Sequence, residues 1–73
     1  MDKANLHLKI GLKIRELRIC QNLSLQELSD KLDIEYNNLI RIEKGRTNPT
    51  LETLYKISRV LNVKLTDIVD IED

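Results

Sequence analysis

The sequence predicts an all-α fold of five short helices around one core, and three observations carry that expectation. Leu and Ile are abundant while the aromatics are limited to Tyr36 and Tyr55, which favours packed helices over a sheet sandwich. Apolar residues recur every three or four positions in successive segments, the spacing of one helical face. Caps and stops bound those segments, although the chain contains only two Gly and one Pro. At 73 residues the chain is expected to be one domain over 1–73, with short tails at 1–5 and 70–73. A domain of this length buries only about 60% of its unfolded surface, so most of its apolar side chains must be committed to packing.

The first helix is predicted from about Asn5 to Gln21, with Leu6, Ile10, Ile14 and Leu17 as its apolar stripe. Leu8, Leu12 and Ile19 lie off that stripe. This is more apolar surface than a solvated face needs, and it implies either a broad buried face or contact with a second subunit.

The second helix has the clearest start. Ser24 at the N-cap and Glu27 three residues later form a capping box, with Leu23 and Leu28 as a hydrophobic staple. Leu25, Leu28 and Leu32 are expected to face the core, and Ser29 offers a small residue where another helix can cross closely. The third helix begins near Glu35 and ends before Gly45, a left-handed stop. At 100° per residue, Tyr36, Asn37, Ile40, Arg41 and Lys44 fall within about 140° of arc. Glu35, Leu39, Ile42 and Glu43 occupy the other side, with Leu39 and Ile42 as buried anchors. An exposed short helix carrying such side chains suits reading the edges of DNA bases.

Thr50 is expected to cap the fourth helix, with Leu51, Leu54, Ile57 and Leu61 facing inward and Asn62 as its stop. Thr66 is expected to cap a final turn, with Asp67 at its positive end. Val63, Leu65, Ile68, Val69 and Ile71 are too apolar for a solvated tail, so this end is expected to seal the core or meet a partner.

Net charge is zero, which a nucleic-acid binder must offset by distribution. Residues 1–46 carry nine Lys/Arg against seven Asp/Glu, whereas 47–73 carry three against five, including Asp67, Asp70, Glu72 and Asp73. One face can therefore approach phosphate, in a modest field. No nucleophile–base constellation or glycine-rich phosphate loop is present, which argues against an enzyme and offers no cofactor or ligand pocket. His7 has no second ligand at metal spacing. Cys20 cannot staple a monomer and is expected as a small core or boundary residue. The start, MDKANLHLKI, is too polar for a signal peptide, and no segment is apolar enough for a membrane span, so a cytoplasmic location is expected.

The segments IGLKIRELR, LSLQELSDKLDI, NNLIRIEKGRTNPTLETL and ISRVLNV together resemble the lambda-repressor-like, Cro/C1-type helix-turn-helix domain of the XRE family. The resemblance covers roughly residues 10–69. It implies that helices 2 and 3 form the helix-turn-helix, with helix 3, about 35–44, lying in the major groove of double-stranded DNA. On that basis Tyr36, Asn37, Ile40 and Arg41 are the base-contacting candidates, Asn37 suited to adenine, Arg41 to guanine and Ile40 to a thymine methyl. Phosphate contacts fall on Ser24 and Gln26 at the start of helix 2 and on Lys44, Arg46, Thr47 and Asn48 in the following loop.

The resemblance also implies a structural ion pair between Arg18 and Glu43, and departures at three positions. Asp33 stands where the family's turn has glycine, Glu35 where it has a small hydroxyl cap, and Leu25 where some members direct a polar residue at phosphate. The implied function is a sequence-specific transcriptional regulator acting as a homodimer, like compact phage-type repressors and restriction–modification controller proteins. Val63, Leu65, Ile68 and Val69 are the expected interface. The alternative is a protein-interaction module on the same fold, such as the antitoxin of a toxin–antitoxin pair.

Overall fold

Capping side chains set where most of the helices start. In the computed structural model, which describes residues 2–71, the helices are α1 (Lys3–Cys20), α2 (Leu25–Leu32), α3 (Tyr36–Glu43), α4 (Leu51–Val60) and α5 (Leu65–Val69), with no strand among the described residues. Asp2 accepts the Asn5 amide at 2.8 Å, so α1 starts at Lys3 and the tail expected over 1–5 is helical from that residue onward. The α2 capping box is complete, Ser24 Oγ accepting from the Glu27 amide and Glu27 Oε1 from the Ser24 amide, both at 3.0 Å. Thr50 Oγ1 caps α4 by accepting the Thr53 amide at 3.1 Å. Helix α5 departs from expectation. Its N-cap position is Lys64, whose amide donates to Asp67 Oδ2 at 2.9 Å, and Thr66 lies inside the helix. The aspartate reaching back from the third helical position replaces the hydroxyl cap.

The first four helices end alike. Asn22, Asp33, Gly45 and Asn62 take φ values of 58°, 55°, 70° and 57°. The amides that follow them reach back to the last turn: Leu23 to Arg18, Ile34 to Ser29, Arg46 to Arg41 and Val63 to Ser58. This is the left-handed stop that satisfies otherwise orphaned carbonyls, with Asn or Asp in three of the four places where glycine is commonest.

The core consists of Ile10, Ile14, Leu28, Leu32, Leu39, Ile42, Leu54, Ile57, Leu61 and Ile68. Helices α2 and α4 pack together, and each contributes a buried serine, Ser29 and Ser58. Both hydroxyls donate to carbonyls within their own helices, Gln26 and Tyr55, so no buried polar side chain among the described residues lacks a partner. Gln21 ties the end of α1 to the Leu61 carbonyl.

Several expectations about burial are corrected. Leu51 is 69% exposed, because at the first position of α4 it lies about 120° around the helix from Ile57. Leu6, Leu8, Leu12 and Ile19 are all exposed, while α1 buries Ile10, Gly11, Ile14 and Arg18. The buried face of α1 is therefore narrower than its apolar content implied. Cys20 is free and exposed, at the end of α1 beyond its last buried residue. Ile71 packs against the core, so the C-terminal tail is partly docked, whereas Glu72 and Asp73 lie outside the described residues.

Candidate nucleic-acid interface

Two contacts fix α3 on the rest of the molecule. At Gly11, α1 crosses the end of α3 so closely that a Cβ there would meet the carbonyl oxygens of Ile42 and Glu43, the latter at 2.5 Å. Only a residue without a side chain permits that crossing. About two turns further along α1, Arg18 donates from Nε to Glu43 Oε2 at 2.8 Å and from Nη2 to Glu43 Oε1 at 3.1 Å. Its Nη1 donates to the Leu23 carbonyl at 2.8 Å, so one guanidinium joins α1, α3 and the α1–α2 turn. Both partners are buried. The fork-on-carboxylate geometry adds directional strength that a single contact lacks.

With that side held, α3 divides as its spacing implied. Leu39, Ile42 and Glu43 are buried, whereas Tyr36, Asn37, Arg41 and Lys44 are exposed and Ile40 is half-buried. The helix starts without a side-chain cap at Glu35, leaving its first amides without that partner. Asp33 adopts the left-handed conformation (φ 55°, ψ 45°) in the turn that sets the angle between α2 and α3. Arg41 shares a shallow depression with Asp33 and Glu35 but forms no ion pair among the described residues.

The phosphate candidates fall into two groups. Lys44 and Arg46 are exposed and line one cleft, of about 490 Å³, together with Ile40, and Thr47 and Asn48 follow in the same loop. The start of α2 is more occupied. Its Ser24 amide is taken by Glu27, and Gln26 Nε2 donates to Asp30 Oδ1 at 2.8 Å. Helix α5 also differs from its expected role: Ile68 is 0% exposed within its own chain, while Val69 is 38% exposed and Val63 and Leu65 are half-buried. Ile68 therefore anchors α5 to the core instead of presenting an outer surface.

Sequence reasoning did not single out Gly11 or the placement of Arg15 in the same cleft as Lys44 and Arg46. A glycine inside a helix costs about 1 kcal/mol relative to alanine, which is itself a sign of close backbone approach. No comparable signal marks Arg15, which reads as an ordinary helix charge. Among the described residues no cluster of His, Cys, Asp or Glu could hold a metal ion, and no helix is long and apolar enough to cross a membrane.

A helix pair joined by a tight left-handed turn, its second helix buried on one side and polar on the other, defines the helix-turn-helix class of all-helical, lambda-repressor-like domains. The chain belongs to the HTH_3 helix-turn-helix family of Cro/C1-type transcriptional regulators, whose pattern matches residues 14–68. It is 38% identical over 56 residues to an uncharacterized HTH-type transcriptional regulator of Archaeoglobus fulgidus, covering 77% of this chain and 79% of that one. It is 33% identical over 67 residues to the control protein C.BamHI of Bacillus amyloliquefaciens, covering 90% and 83%. Among solved structures, SinR, the master regulator for biofilm formation, in complex with DNA superposes with a TM-score of 0.78 at 35% identity, over 84% of this chain and 98% of that one.

Proposed function

We propose that this protein is a sequence-specific double-stranded DNA-binding transcriptional regulator that acts as a homodimer. The observation that carries the reading is the division of α3: its inner side is locked by Leu39, Ile42 and the Arg18–Glu43 pair, and its outer side holds exposed polar side chains. In the major groove, Asn37 offers an amide with the donor–acceptor pair that adenine presents, and Arg41 the fork that matches guanine. Tyr36 lies at the helix start within reach of a base edge or phosphate, and Ile40 suits a thymine methyl. Lys44, Arg46, Thr47 and Asn48 follow the backbone, with Ser24 and Gln26 at the other rim. Gln26 must leave Asp30 to do so.

The homodimer is part of this proposal: one copy carries a single α3, and a pair would place two such helices on half-sites about 34 Å apart from centre to centre. The relatives named as regulators, and a neighbour solved on DNA, support the same reading.

Selection of bound duplexes from a random pool tests it, followed by affinity measurements against salt. A defined motif and a negative salt slope are expected. Arg41→Ala should cost about 1–3 kcal/mol at one base position, and Lys44→Ala should weaken all duplexes alike. Absence of a motif, with indifference to both changes, refutes the reading. It would leave the antitoxin-like interaction module as the account to pursue.

A further inference from the structure

We infer that the DNA-binding surface extends beyond the helix-turn-helix onto α1, where Arg15 takes a backbone phosphate; this rests on the proposed function. The cleft that contains Lys44 and Arg46 is not bounded by α3 and its loop alone. Helix α1 lines it too, contributing Leu8, Leu12 and Arg15, and Leu25 and Ile40 add further apolar side chains. The carboxylate in its lining is Glu43, which is buried and already doubly bonded to Arg18. Arg15, Lys44 and Arg46 are therefore exposed cations around one opening, and none makes an ion pair among the described residues.

The occupant that fits this opening is the sugar–phosphate chain of the same duplex. It repeats charged phosphates between apolar deoxyribose carbons, and the cleft is lined by cations together with Leu8, Leu12, Leu25 and Ile40. The cleft is also continuous with the proposed reading surface, since Ile40, Lys44 and Arg46 belong to both. Arg15 and Leu25 line the same cleft, so a guanidinium shares it with the apolar residue at the start of α2. The arrangement also bears on the chain's zero net charge. Local convergence of cations, not overall basicity, supplies the attraction, as field focusing in a cleft allows.

The test uses the full chain on its selected duplex, with salt titrations for the wild type, Arg15→Ala, Lys44→Ala and Arg46→Ala, and phosphate-ethylation interference for the wild type and Arg15→Ala. Arg15→Ala is expected to make the log–log salt slope shallower by about 1 and to weaken every duplex by the same factor, leaving the selected motif unchanged. One ethylation-sensitive phosphate should disappear from its interference pattern. Because Arg15 is exposed and unpaired, the variant's thermal melt should match the wild type. If Lys44→Ala and Arg46→Ala flatten the slope while Arg15→Ala leaves slope and interference pattern intact, the extension onto α1 is wrong and the helix-turn-helix reading stands. If the wild type itself shows no salt-dependent binding, both fall together.

Discussion

Arg18 and Glu43, 25 residues apart in the chain, meet as a doubly hydrogen-bonded pair with only 8% and 6% of their surfaces exposed. Charges so deeply placed stabilise little as a pair, because desolvation offsets their attraction, yet removing one leaves the other buried without a counter-charge. Glu43→Ala is expected to lower unfolding free energy by about 3–5 kcal/mol. For a domain this small that is a large fraction of the total. The double change Arg18→Met with Glu43→Leu should restore most of it. Urea melts of the two variants check this, and equal losses in the single and double variants would show that packing, not charge, holds α3.

The α2 capping box carries a pH dependence. The Ser24 amide, and then the Ser24 side chain, hold the Glu27 carboxyl below its usual range, with Lys31 adding to the effect and burial opposing it. A carboxyl with a folded-state pKa below its unfolded value contributes stability above the unfolded value, and that contribution is lost as pH falls through the folded one. Ser24→Ala removes the side-chain contribution but keeps the amide, so it should raise the Glu27 pKa part of the way toward the ordinary carboxylate value in an NMR titration. Glu27→Gln should remove part of the stability lost on acidification. An unchanged acid limb in Glu27→Gln would place the acid sensitivity elsewhere.

Two left-handed stops should respond oppositely to substitution. Asp33 occupies φ 55°, ψ 45° in the turn of the helix-turn-helix, a conformation that glycine adopts without steric cost. Asp33→Gly is expected to stabilise by up to about 1 kcal/mol, a rise of several degrees in Tm. Gly45 has φ 70°, and a Cβ there would lie 2.6 Å from the Leu8 Cα, so both conformation and backbone contact oppose a side chain. Gly45→Ala should destabilise by about 2 kcal/mol or more. Thermal melts of the two variants should move in opposite directions.

The proposed dimer has a testable surface on α5. Val69 is exposed whereas Ile68 is wholly buried, although the two are adjacent in sequence. Val69→Asp is expected to keep the circular dichroism of the wild type while lowering the sedimentation mass toward the monomer. Ile68→Asp should lose helical structure outright, because it places a charge in the core. Unchanged association in Val69→Asp would move the interface to the exposed apolar positions of α1, Leu12 and Ile19.

Local chemistry decided much of this protein from sequence alone. The Ser24 and Thr50 caps, the stops at Gly45 and Asn62 and the division of α3 between Leu39 and Arg41 depend on neighbours within a turn or two, so spacing reveals them. Tertiary structure decided what periodicity leaves open. Helix α1 carries apolar residues around most of its circumference, and only its partners select Ile10 and Ile14 over Leu8 and Leu12. The same holds for Leu51, which continues an apolar pattern beyond the last contact, and for Ile68, which packs inward where a partner surface was expected. Gly11 against the end of α3, and Arg15 in one cleft with Lys44 and Arg46, arise from the crossing of helices far apart in the chain. Such crossings are set by packing over the whole core, and no window of neighbouring residues contains them.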